Sequence, residues 1–154
     1  MADGRQETDE RGTRRILVIA DKTCPCTELH ERIAARRPGG GLEVLVVAPA
    51  LNSRLRHWVS DTDSAVAAAQ VRLELAVESL RGMSIEARGE VGDADPLVAI
   101  GDSLATFAAD EVMISTHPPG RSHWLERSLP ERARERHAVT VTHVVSEYGL
   151  EVAV

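Results

Sequence analysis

Five consecutive apolar residues, Ile16-Leu17-Val18-Ile19-Ala20, stand near the start of the chain and end at Asp21. A strand with one wet face alternates apolar and polar side chains; a strand buried on both faces does not. Such a strand belongs in a parallel sheet covered by helices on each side. A second run, Leu42 to Ala48, is nearly all apolar from Val44 on. Between them lies a helical pattern, roughly Thr27 to Arg37, with Leu29, Ile33 and Ala34 on one face and Pro38-Gly39-Gly40-Gly41 as its stop. Composition agrees. Phe107, Tyr148, Trp58 and Trp124 are the only aromatics in 154 residues, so Val, Ile, Leu and Ala must build the core.

The alternation continues. Pro49 to Ser60 reads as a loop. Asp61 to Arg81 reads as a helix, with Val66, Ala69, Leu73, Val77 and Leu80 at spacings of three and four. In Ser84 to Val91, Ile85, Ala87, Gly89 and Val91 alternate with Glu86, Arg88 and Glu90, which predicts a strand half open to water at a sheet edge. Asp95-Pro96 opens a third helix, with Asp as N-cap, Pro at the first helical position, and Leu97, Ile100, Leu104 and Phe107 as the buried stripe. Glu111 to Thr116 is a strand centred on Val112-Met113-Ile114. Ser128-Leu129-Pro130-Glu131 has the form of a capping box opening a fourth helix near Leu129. The last strand, Val139 to Val145, sets Val139, Val141, His143 and Val145 against Thr140, Thr142 and Val144, and reads as a second edge.

This order predicts an α/β fold with a five-stranded parallel sheet, Rossmann-like, with helices on both faces. Two edge-like strands, the third and the fifth, favour the order 3-2-1-4-5 over 2-1-3-4-5, which would bury the third. The topological switch point then falls between strands one and four, where ligands bind beyond the strands' C-terminal ends. That sets Asp21 opposite the loop Ser115 to Ser122. Residues 1–13 read as a disordered polar tail, 14–146 as the domain and 147–154 as a C-terminal tail.

A net charge of −6 argues against a nucleic-acid partner, which would require a basic face. Arginine outnumbers lysine 17 to one, which reads as composition bias and not as function. No apolar run approaches a membrane span and no signal-peptide core opens the chain, so the expected compartment is the cytoplasm. Cys24 and Cys26 are too few and too close for a disulfide framework.

Three segments together resemble the universal stress protein family: Ile16 to Asp21; Gly92-Asp93-Ala94-Asp95-Pro96; and Asp110-Glu111-Val112-Met113-Ile114 leading through Glu131-Arg132-Ala133-Arg134-Glu135-Arg136-His137 to Val139–Val145. The resemblance covers roughly Arg14 to Val145. It implies a small stress-response protein and a homodimer formed through the last strand (Val139 to Val145); in the family's ATP-binding members an adenine nucleotide, ATP with Mg, lies at the switch point, and no catalytic constellation stands out among the residues here. Asp21 would meet the adenine end of that nucleotide. Val47, Ser115, Thr116, Gly120, Arg121, Ser122, Arg127 and Ser128 would complete the site. ATP-binding members carry G-x2-G-x9-G followed by Ser or Thr after strand four. Here Gly120 is the only glycine of the region, Ser115 stands at the first glycine position, and Arg127-Ser128 replaces the Gly-Ser pair. Glycines let backbone approach phosphate closely, so the resemblance alone does not imply that this chain binds ATP.

The residues carry their own argument. Ser115, Thr116, Ser122 and Ser128 hydroxyls, Arg121 and Arg127 guanidiniums and free N–H groups at a helix start can hold a phosphate or another anion. The plainer alternative has Ser128 capping its helix, the arginines solvated and Asp21 closing a turn. Cys24-Pro25-Cys26 with His30 offers three ligands for a soft metal, or a redox pair, against two solvent-side thiols in a loop. His117 and His123 flank the ligand loop. A protein-interaction module with a vestigial nucleotide pocket is the alternative reading of the whole chain.

Overall fold

In the computed structural model the described residues are 13–20, 27–36, 41–51, 61–116 and 128–145. They form β1 (Arg14–Ala20), α1 (Thr27–Ala34), β2 (Leu42–Leu51), α2 (Asp61–Gly82), β3 (Glu86–Asp93), α3 (Pro96–Thr106), β4 (Glu111–Thr116), α4 (Leu129–Arg136) and β5 (Thr140–Val145). The five strands make one parallel sheet in the order β3-β2-β1-β4-β5. Both edge assignments and the switch point between β1 and β4 agree with the sequence reading.

The apolar runs explain the layering. β1 contributes Ile16 and Val18 to one face of the sheet and Leu17 and Ile19 to the other, all four fully buried. The first face is covered by Leu29 and Ile33 of α1 and by Ala69, Leu73, Val77 and Leu80 of α2. The second is covered by Leu97, Ala99 and Ile100 of α3 and by Leu129 and Ala133 of α4. α1, α2 and α3 thus bury most of the stripe that periodicity marks, with Ala34, Val66 and Leu104 only partly covered, and burial of such side chains stabilises by ~1.5–3 kcal/mol each.

Glycine sets the closest approach between layers. A Cβ on Gly92 would lie 2.8 Å from Val47 Cγ1 and 3.2 Å from Ala99 Cβ, so α3 can seat on β2 and β3 only over a bare backbone here. α3 starts as its sequence predicts. The Asp95 carboxylate accepts the Leu97 N–H at 3.0 Å, with Pro96 in the first turn.

Several boundaries differ from the sequence reading. β2 does not stop before Pro49 but runs on to Leu51, with a register shift against β3 between Pro49 and Leu51. Proline has no N–H for the ladder and is tolerated where the ladder breaks. α1 ends at Ala34 and closes in a turn through Arg36. β3 begins at Glu86 and not Ser84, because Ser84 adopts a left-handed backbone (φ 63°) in the turn leaving α2. β5 starts at Thr140. It feeds both faces of the sheet, with Val141 in one core cluster and Val144 in the other.

The capping box is corrected outright. Ser128 is exposed and left-handed (φ 56°, ψ 43°), and its side chain takes no cap hydrogen bond. An N-cap side chain reaches the first-turn N–H groups from an extended backbone, a geometry that this φ/ψ excludes.

Candidate functional site

The C-terminal ends of β1 and β4 meet at the pair Ala20 and Ser115. Ser115 also faces Val144 of β5, so its hydroxyl sits between three strands. Ser115 is fully buried, and its Oγ has no hydrogen-bond partner. A buried hydroxyl without a partner costs about 1–3 kcal/mol. Among the described residues this is the feature of the switch point that asks for a ligand or water.

α4 covers the opposite face of the sheet from the Ser115 side chain, which shares its face with Met113 and Val144. Its apolar face, Leu129 and Ala133, packs in the same core cluster as Ile114 of β4 and Leu17 of β1. The Arg132 N–H bonds the Ser128 carbonyl at 3.0 Å as the first helical bond. Pro130 has no N–H to satisfy. With Ser128 turned away, no side-chain oxygen of that residue competes for the first turn, in contrast to α3, where Asp95 fills the same position. A helix start of this kind favours an anion.

The remaining site residues distribute as follows. Val47 lies in β2 with its side chain fully buried against the Gly92 backbone, so only its backbone can serve a ligand. Thr116 is the last residue of β4, paired with Val145. Asp21, Gly120, Arg121, Ser122 and Arg127 lie outside the described residues, as do Cys24, Cys26, His117 and His123. The structure therefore brings together Ser115, Thr116 and the strand ends around them.

His30, read as a metal candidate, is buried between α1 and α2. Its Nδ1 lies 2.9 Å from Ser79 Oγ, while Nε2 is buried without a partner. Burial pushes its pKa below the ordinary imidazole value, so the ring is neutral near pH 7. Among the described residues no group of three His, Cys, Asp or Glu side chains is arranged to hold a metal ion.

At the opposite end of the sheet lies a charged cluster that sequence reasoning missed. Glu111 is 2% exposed, although it opens an otherwise apolar strand. Its carboxylate accepts Arg14 Nη2 at 3.1 Å, Arg36 Nε and Nη2 at 3.1 and 3.0 Å, and Thr142 Oγ1 at 2.6 Å. Burial pushes the Glu111 pKa up, but the hydrogen bonds from Arg36, Thr142 and Arg14 outweigh it and hold the carboxyl below its ordinary value. The cluster joins β1, the turn after α1, β4 and β5. Nearby, Arg15 Nε donates to Glu43 at 3.1 Å, and Arg88 lies 3.7 Å from Glu43 and 5.5 Å from the centre of the Phe107 ring. No acid-base pair or nucleophile is exposed in this cluster, and it serves as a structural clasp. The one sequence signal for Glu111 was a carboxylate where the pattern demanded an apolar residue.

The fold class is a Rossmann-like α/β domain with its switch point between β1 and β4. No protein-family model matches the chain, and no curated protein matches it significantly. No helix among the described residues is long and apolar enough to cross a membrane.

Proposed function

We propose that this chain is a non-catalytic, universal-stress-protein-like domain that holds a nucleotide or a related anion at the switch point. The observation that carries this reading is the Ser115 hydroxyl, sealed among three strand ends without a hydrogen-bond partner at the place where such sheets bind ligands. In this proposal Ser115 and Thr116 meet the ligand from β4, Val47 meets it through backbone, and Asp21 contacts its adenine end. Gly120, Arg121, Ser122, Arg127 and Ser128 surround the phosphates, and Mg would accompany ATP. A cytoplasmic role in stress response and a homodimer formed through β5 belong to the same proposal and rest on the resemblance.

Calorimetric titration of nucleotide-stripped protein with Mg-ATP, then ADP and AMP, tests it. Micromolar binding that weakens in Ser115→Ala and in an Arg121→Ala, Arg127→Ala double variant is the expected result. Absence of heat and of thermal shift at millimolar nucleotide and millimolar phosphate would overturn it and leave a protein-interaction module with a vestigial pocket.

A further inference from the structure

Among the described residues no strand pairs with the outer edge of β3, and this edge is not flat. Two adjoining cavities, of about 280 and 220 Å³, follow it. The first is lined by Glu86, Ala87 and Arg88 of β3, Glu43 and Val44 of β2, and Arg81 of α2. The second is lined by Gly89, Glu90 and Val91 of β3 and by Gln70, Leu73 and Glu74 of α2. Gln70, Glu74, Val77 and Arg81 recur at helical spacing, so one side of α2 borders the strand along its length. Gly89 forms the floor: a Cβ there would lie 3.1 Å from Leu73 Cδ2.

Arg81 Nε donates to the Ala87 carbonyl at 3.1 Å. A carbonyl at the outer edge is open to a guanidinium from α2, whereas one in the β2–β3 ladder already holds an N–H, which favours an outward Ala87 carbonyl. Alternate residues of a parallel strand turn their N–H and C=O the same way. Gly89 and Val91 therefore share the outward orientation of Ala87, and their backbone groups face the second cavity.

Charge is unequal along this groove. At one end the Glu43 carboxylate is shared by Arg15 at 3.1 Å and Arg88 at 3.7 Å, and with Arg81 the three arginines outnumber Glu43 and Glu86 by one charge. At the other end Glu74 and Glu90 line the cavity, with no cation beside them among the described lining residues.

From the open edge, the bordering helix and this charge gradient we infer that the groove takes an extended peptide of a partner protein as a sixth strand. The peptide carries an acidic residue beside Arg81 and Arg88 and a basic residue beside Glu74 and Glu90. Main-chain bonds to Gly89 and Val91 supply the strand addition, and the charges select the sequence.

Residue-resolved amide exchange on the full chain tests the inference, with the peptide Ac-Lys-Val-Thr-Val-Thr-Glu-NH2 as probe. Slowed exchange at Gly89 and Val91, with Glu90 unchanged because its amide already serves β2, is the expected outcome. The probe Ac-Glu-Val-Thr-Val-Thr-Glu-NH2 should bind about fivefold more weakly, as should the first peptide to Arg81→Glu, the size expected of an exposed ion pair. Comparing the two peptides on the unaltered chain keeps the charge assignment testable if Arg81→Glu folds poorly. Unchanged exchange at Gly89 and Val91 in millimolar peptide, protection confined to β5, or equal affinity for both peptides would overturn it.

Discussion

The hydroxyl of Ser115 gives opposite signs in two experiments. With nothing to bond, it burdens the ligand-free fold, so Ser115→Ala is expected to raise stability by about 1 kcal/mol, or Tm by roughly 2–4 °C. The same substitution should weaken nucleotide or phosphate binding; thermal melts with and without ligand read both. Glu111 behaves conventionally. Glu111→Gln strips the charge from a cluster that holds two arginines, and is expected to cost about 3 kcal/mol by urea unfolding at pH 7. His30 makes stability depend on pH. Its pKa is lowered in the fold, so the unfolded chain binds the proton more readily. The contribution is complete above the unfolded value near 6.5 and is lost as pH falls below it, at no more than about 1.4 kcal/mol per pH unit. His143, lowered first by burial and further by Arg134 against the pull of Glu131, has the same sign. His30→Gln should therefore flatten the loss of stability between pH 6.5 and 5, measured by chemical unfolding.

At the scale of elements, Gly92 binds two neighbours into one steric unit. Gly92→Ala is expected to cost about 1–3 kcal/mol, and Val47→Ala in the same chain should recover part of it by removing the nearest methyl. A double-mutant cycle on Tm or urea midpoints checks the coupling. Elements were also what the sequence displayed best. The double-sided apolar runs of β1 and β2, the alternation of β3 and the Asp95-Pro96 helix start each state a local requirement that the fold obeys. Features that depend on distant partners were hidden. Glu111 looked like a strand end because Arg14, Arg36 and Thr142 are 97, 75 and 31 residues away. Ser128 looked like a cap because its neighbours fit the pattern, yet its backbone is left-handed. The place of Ser115 at the C-terminal end of β4, beside β1, was readable from strand order, whereas its lack of a partner is a property of three strands together.

For the whole molecule, strand order governs both ends of the sheet. The C-terminal ends of β1 and β4 carry the orphan hydroxyl, and the opposite end is locked by the Glu111 carboxylate. If the β5 edge joins two copies, as proposed, gel filtration across micromolar concentrations should run at twice the 16.7 kDa chain mass. The β3 edge would stay free in that dimer, which keeps peptide addition and self-association independent.

The placement of β1 also dictates a schedule. It is synthesised before the four strands it shares a sheet with and is the central one, pairing on one side with β2 and on the other with β4. Residues 16–19 acquire their second strand only when residues 111–114 have been made, nearly a hundred positions later. Until then a strand whose last five residues are all apolar has one bare edge. Pairings this distant slow folding and prolong exposure to aggregation. Nascent chains halted before Glu111 are therefore expected to remain protease-sensitive and to associate through β1, and chains extended past Val145 to become resistant in a single step.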